Sequence, residues 1–154
     1  MGGSEDFLAQ GGLRAARTVA TAFLALCVLT GCGERRAYGG TAYKNLQVRA
    51  VTTTGSVALD VYGLDATCNA LYEGYVILDR PVVEVGLPAG RASLLVLEFR
   101  DPKVSNKVEL QVTPNPLSRY EVQIALNNGI YKIEVREIDS RTGMDREINT
   151  ARRC

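Results

Sequence analysis

From Thr41 onward the apolar residues of this chain recur at every second position, and β-branched residues dominate the runs. That period puts successive side chains on opposite faces of an extended backbone, so it describes strands and leaves no amphipathic helix in the last two thirds of the sequence. Leu46, Val48 and Ala50 alternate with Gln47 and Arg49, and a Thr/Gly turn over 52–55 leads into Val57, Leu59 and Val61. In the run from Leu71 to Leu78, the alternation places Tyr72, Val76 and Leu78 on one face and Tyr75 and Ile77 on the other. Asp79-Arg80-Pro81 stops that strand, since proline cannot donate to a ladder and suits a boundary or an edge. Val83, Val85 and Leu87 precede the Pro88-Ala89-Gly90 turn. Ala92 to Phe99, apolar on both faces, is the expected most buried strand.

The second half repeats the grammar. Val108, Leu110 and Val112 alternate, and Val122 and Ile124 follow Tyr120. Asn127-Asn128-Gly129 is a hairpin turn, because both residue types tolerate left-handed backbone. Its return strand carries Tyr131, Ile133 and Val135 inward and Lys132, Glu134 and Arg136 outward, and after Arg141-Thr142-Gly143 the segment Asp145 to Ile148 adds a short edge strand. Seven or eight short strands predict an all-β fold, a two-sheet antiparallel sandwich, with a small barrel as the other solution.

The first 31 residues follow different rules. Arg14 and Arg17 precede an apolar run from Val19 to Thr30, which is the order of a secretory signal peptide. About twelve apolar residues fall short of the ~20 that a membrane-spanning helix needs. The run ends in Leu29-Thr30-Gly31-Cys32, which resembles the lipobox of bacterial lipoproteins. That resemblance implies a helical signal peptide over 1–31, cleavage between Gly31 and Cys32, and a diacylglycerol and an N-acyl chain (palmitate or similar) attached covalently at Cys32. Residues 32–42, polar and glycine-containing, then read as a lipidated flexible tether, and 43–154 as the sandwich domain. Gly33, rather than aspartate, follows the acylated cysteine, and by the enteric sorting pattern this favours the outer membrane, facing the periplasm.

Cysteine usage sharpens the picture. Cys27 would leave with the signal peptide and Cys32 would be capped by lipid, so Cys68 and Cys154 remain. In an exported domain these two form an expected disulfide, worth on the order of 4 kcal/mol by loop closure. The alternative is a buried Cys68 acting as a small apolar residue, with Cys154 free. With no Cys-x-x-Cys and no basic residue within two positions, Cys68 is read as structural and not as a redox thiol.

Local sequence also suggests which sandwich this is. Pro114-Asn-Pro-Leu-Ser-Arg-Tyr120, followed by an alternating strand, resembles the tyrosine corner of immunoglobulin-like domains, or is an ordinary strand start with a half-buried tyrosine. Gly74 to Asp79 and Val85 to Arg91 are similar to the hairpins of PEGA-type and prealbumin-like domains, with Asp79-Arg80-Pro81 where those repeats carry Asp-Gly. The expected fold is therefore an immunoglobulin-like or prealbumin-like sandwich.

Composition excludes much chemistry. The 154 residues contain no histidine and no tryptophan, and 18 Lys+Arg balance 17 Asp+Glu for a net charge of +1. Without histidine there is no Ser-His-Asp or Cys-His nucleophile and no ordinary zinc ligand set. A near-zero net charge provides no field for nucleic acid, and the arginines 141, 146, 152 and 153 are interleaved with Asp139, Asp145 and Glu147, as in a solvated, weakly basic end. Asp60, Asp65, Glu73, Asp79 and Glu84 are the carboxylates from which a glycosidase pair would have to come. Asp60 falls on a solvated sheet face, and Asp65 and Asp79 fall at turns. Binding is suggested only by Tyr62 and Tyr75, both on the face opposite the apolar alternation.

The expectation is thus a membrane-anchored envelope lipoprotein with no enzymatic activity, no metal and no cofactor beyond the lipid on Cys32. It would act as a structural or protein-binding component with another envelope protein as partner, and type VI secretion lipoproteins are similar in combining an anchor with a prealbumin-like sandwich. The alternative is a periplasmic ligand-binding or enzyme-inhibitor lipoprotein. Lysozyme-inhibitor lipoproteins resemble the chain in lipobox, size and β content, although their aromatic and lysine-rich strand signature is missing.

Overall fold

The computed structural model describes residues 35–51, 56–100, 105–127 and 130–151. The expected signal peptide over 1–31, Cys32, Cys154 and the expected turns over 52–55 and 128–129 lie outside the described residues. Among the described residues there are nine strands: β1 (Leu46–Val51), β2 (Ser56–Leu64), β3 (Ala70–Ile77), β4 (Val82–Val85), β5 (Ser93–Arg100), β6 (Ser105–Val112), β7 (Ser118–Asn127), β8 (Ile130–Asp139) and β9 (Asp145–Glu147). The count exceeds seven or eight because both short edge strands form, β4 of four residues and β9 of three.

The strands form two sheets, ordered β4-β1-β7-β8-β9 and β3-β2-β5-β6. Every ladder between these strands is antiparallel except β1 with β7, which run parallel from Leu46 opposite Tyr120 to Val51 opposite Ala125. The expected all-antiparallel sandwich is corrected at this one ladder, where the first strand inserts between β4 and β7. An immunoglobulin constant-type domain keeps its first two strands in one sheet. Here β1 and β2 lie in opposite sheets, so the strand order departs from that of a constant-type immunoglobulin domain.

The apolar alternation builds the core as expected. Leu46 and Val48 from β1, Leu59 and Val61 from β2, Leu95, Leu97 and Phe99 from β5, and Val122 and Ile124 from β7 are each no more than 1 % exposed and share one cluster. β5, central in its sheet, buries five of its eight residues, and Phe99 stacks on Tyr131 with ring centroids 4.1 Å apart. Asn45 enters β1 buried and behaves like a piece of strand. Its side-chain amide donates to the Leu87 carbonyl (2.9 Å) and accepts from the Leu87 N–H (2.8 Å), satisfying both backbone groups where β4 ends.

Two features depart from the alternation. At the Val61/Tyr62 position of β2 the register with β3 shifts, so that Val61 faces Gly74 while Tyr62 faces Tyr72. This bulge adds one residue to β3 and turns Tyr72 to the outer face with Tyr75, correcting its expected place beside Val76. The second departure is the segment read as a tether. Its part from Arg35 onward lies against the sandwich: the Tyr75 N–H donates to the Arg36 carbonyl (2.9 Å), the Tyr38 N–H to the Tyr75 carbonyl (2.8 Å), and the Thr41 N–H to the Gly86 carbonyl (2.9 Å).

Residues 35–41 therefore form a strap from the outer side of β3 to the end of β4, closing that side of the sandwich. Tyr38 packs against the core and its hydroxyl donates to the Gly86 carbonyl at 3.0 Å. The strap also protects the otherwise unpaired edge of β3. The compact unit starts at Arg35 rather than at residue 43.

Candidate functional site

Two surfaces gather polar and aromatic groups. The first is the outer face of the four-stranded sheet, where the structure brings together both tyrosines expected from the alternation. Tyr62 meets Tyr72 edge to face, with centroids 5.2 Å apart, and Tyr75 lies opposite Asp60 in the β2–β3 ladder. Arg35 joins them from the strap. Its guanidinium reaches both Asp60 carboxylate oxygens, at 3.1 and 3.2 Å, and stands 5.9 Å from the Tyr75 ring centroid. Burial and the nearby Asp60 carboxylate push the Tyr62 hydroxyl above its ordinary pKa.

The second surface lies on the opposite side of the sandwich, where β6 faces β8 and β9, and sequence reasoning missed it. Its centre is Glu137. The inward series Tyr131, Ile133, Val135 continues to this residue, so a carboxylate is aimed into the end of the core with a side chain only 11 % exposed. Such a group must be paired, and it is. Tyr120, itself 3 % exposed, donates its hydroxyl to Glu137 Oε1 at 3.0 Å, and Arg146 donates Nε and Nη2 to Oε2 at 3.0 and 2.6 Å. Burial works to raise the Glu137 pKa, but the bonds from Arg146, Ser118 and Tyr120 outweigh it and hold the carboxyl below its ordinary range. The signal available in the sequence was a charged residue at an inward register position.

Tyr120 also performs the role its sequence context suggested. Its hydroxyl accepts the backbone N–H of Asn115, five residues upstream, at 3.0 Å, which is the loop-to-strand bond of a tyrosine corner. Around this centre two depressions open, of about 420 and 410 Å³, and both are lined by Asn115, Glu137 and Arg146. The larger adds Gln111, Thr113, Ile148 and Asn149, and the smaller adds Asp139, Met144 and Asp145. Both fall in the size range of small-molecule sites.

Because the folded Glu137 carboxyl has a depressed pKa, its contribution to stability is complete above the unfolded value of ~4.3 and is lost as pH falls through the folded value. The Glu137→Gln variant should lose about 2 kcal/mol at pH 7, the order of a hydrogen-bonded charge. It should also show a shallower loss of stability between pH 5 and lower values. Denaturant titrations at pH 7 and pH 4 check this, and identical pH slopes for variant and parent would refute it.

The carboxylates considered for catalysis have other partners. Asp60 holds Arg35, Glu73 pairs with Arg91, and Asp79 meets Arg80 at 3.4 Å. Asp65 organises its own turn: its Oδ1 accepts the N–H groups of Thr67 and Asn69, each at 2.8 Å, together with the Thr67 hydroxyl, and these bonds lower its pKa. Glu84 is exposed on edge strand β4. Within the Asp65 turn, Cys68 adopts a left-handed backbone (φ 66°) and is disulfide-bonded, with its partner outside the described residues. Comparison of the chain with protein-family models, curated proteins and solved structures found no match.

Proposed function

We propose that this chain is a bacterial envelope lipoprotein, attached through acylated Cys32 and acting as a structural or protein-binding component on the periplasmic side, without catalysis. The arginine-then-apolar leader and the Leu29-Thr30-Gly31-Cys32 sequence support the anchor. The observation that carries the binding role is the side of the sandwich between β6 and β8–β9, where two adjoining depressions meet at Arg146 and Glu137. Arg146 is 75 % exposed there, and arginine is favoured at protein interfaces. Glu137, Asp60, Glu73, Asp79 and Asp65 are engaged by arginines or turn amides, which favours binding over proton transfer.

A photo-crosslinking residue at Asn149 or Ala151, both exposed beside the larger depression, tests the reading in intact cells. The expected outcome is capture of one dominant envelope protein. Recovery of bulk lipid and abundant bystanders alone would sink it. For the outer-membrane assignment, which rests on Gly33, sucrose-gradient fractionation should place the protein with outer-membrane markers.

One observation favours the second reading, a periplasmic ligand-binding or inhibitor lipoprotein. Gln111, Thr113, Asn115 and Asn149 give the larger depression an amide and hydroxyl lining that suits a polyhydroxylated ligand. Glycan-binding and lysozyme-inhibition assays showing no effect at high protein concentration would discard it.

A further inference from the structure

We infer that the outer face of the four-stranded sheet on its β3 side, carrying Tyr62, Tyr72, Tyr75 and Ile77, rests in the headgroup layer of the membrane that holds Cys32. The inference builds on the proposed lipid anchor and adds an orientation to it.

Chain length is the first reason. A tether of some ten residues would let the domain stand off and tumble, but the strap removes most of that length. Arg35 is tied to Asp60 and Tyr75, and the Arg36 guanidinium donates to the carbonyls of Tyr72 (3.2 Å) and Glu73 (3.1 Å). Only Gly33 and Glu34 separate Cys32 from these contacts, so even a fully extended backbone spans about 11 Å between the Cα atoms of Cys32 and Arg35. The headgroup region on one side of a bilayer is roughly 5–7 Å deep. A domain held within that distance keeps the side where the strap begins against the surface.

The chemistry of the face is the second reason. Tyrosine concentrates at membrane interfaces, where the ring meets acyl chains and the hydroxyl meets water and headgroups. Three tyrosines stand together here, and Ile77, on the same face opposite Ala58, is 63 % exposed.

Charge then selects the kind of surface. The face carries Arg35 with Asp60 and Arg100 with Glu98 as ion pairs, and Lys107 and Glu109 lie on the far strand β6. With Arg36 at the β3 edge, four positive groups stand against three negative, a net charge of only about one, so the contact suits mainly zwitterionic headgroups and depends little on anionic lipid or salt. The depressions at Arg146 lie on the side away from β3 and remain open to a partner.

The chain has no tryptophan, so one introduced indole reports alone. Ile77→Trp and, as a second variant, Tyr75→Trp place it on the proposed contact. Ala125→Trp places it on the exposed outer face of the five-stranded sheet, across the sandwich. Each full-length protein is purified from membranes, checked by mass spectrometry for the diacylglycerol on Cys32, and reconstituted into phosphatidylethanolamine/phosphatidylglycerol vesicles containing brominated lipid.

Loss of emission at positions 77 and 75 but not at 125, unchanged when phosphatidylglycerol or salt is varied, supports the inference. Equal quenching at all three positions, or none, in diacylated protein overturns the orientation and leaves the anchor standing. Protein whose mass lacks the diacylglycerol overturns the anchor, and the orientation with it.

Discussion

Reducing the disulfide at Cys68, or replacing this residue in a Cys68→Ser variant, is expected to lower the stability of the domain by about 4 kcal/mol, read as a lower urea midpoint. For a domain of this size the same loss corresponds to roughly 15 °C in Tm. The expectation comes from the unfolded chain: a cross-link removes conformations that the reduced chain would otherwise regain. With Cys154 as partner the closed loop runs from 68 to 154, and with Cys32 it would run from 32 to 68. Because loop entropy grows only as the logarithm of loop length, both give about the same penalty.

The expected partner is Cys154, and peptide mapping without reductant should recover one linked pair containing Cys68 and Cys154. The bonds around Asp65 keep the turn formed without the disulfide, so the loss should appear in global stability rather than as local fraying. A midpoint unmoved by reductant would refute the prediction.

The Gly74→Ala variant is expected to lose about 3 kcal/mol and to release the strap. Gly74 has φ of 150°, a conformation L-residues rarely adopt, at a cost of about 1–3 kcal/mol. Space is a separate obstacle. A Cβ at this position would stand 2.6 Å from the Tyr38 Cα and 2.7 Å from its backbone nitrogen, and overpacking of this kind typically costs about 1–3 kcal/mol. The obstacle is backbone and cannot rotate away, so the strap must move. Trypsin should then cleave after Arg35 and Arg36 much faster than in the parent. A variant with parental stability and parental resistance at these bonds would show that the strap does not depend on this close approach.

The same pair of segments shows what a sequence can and cannot disclose. The β3 run is legible because burial imposes a period of two, and Tyr75 and Ile77 face outward as the alternation requires. Tyr72 does not, since one bulge residue reverses the parity for everything before it. Bulges are set by backbone pairing between strands rather than by the residues alone. The strap is hidden in the sequence for a related reason. Its Arg, Ala, Tyr and Gly composition suits a tether as well as a docked segment, because its main attachments are backbone hydrogen bonds that any residue can make.

Glu137 marks the limit on the side of the candidate site. Continuing the inward series by one step points to it, but its partners Tyr120 and Arg146 come from different strands and only the fold brings them together. By itself the sequence determined the strands, the residues they bury, the outward faces of Tyr62 and Tyr75, and the absence of histidine chemistry, because periodicity and composition are local properties. Tertiary structure alone decided the parallel β1–β7 ladder, the docking of Arg35 on Asp60 and the burial of an ionised Glu137, because each depends on contacts between residues far apart along the chain.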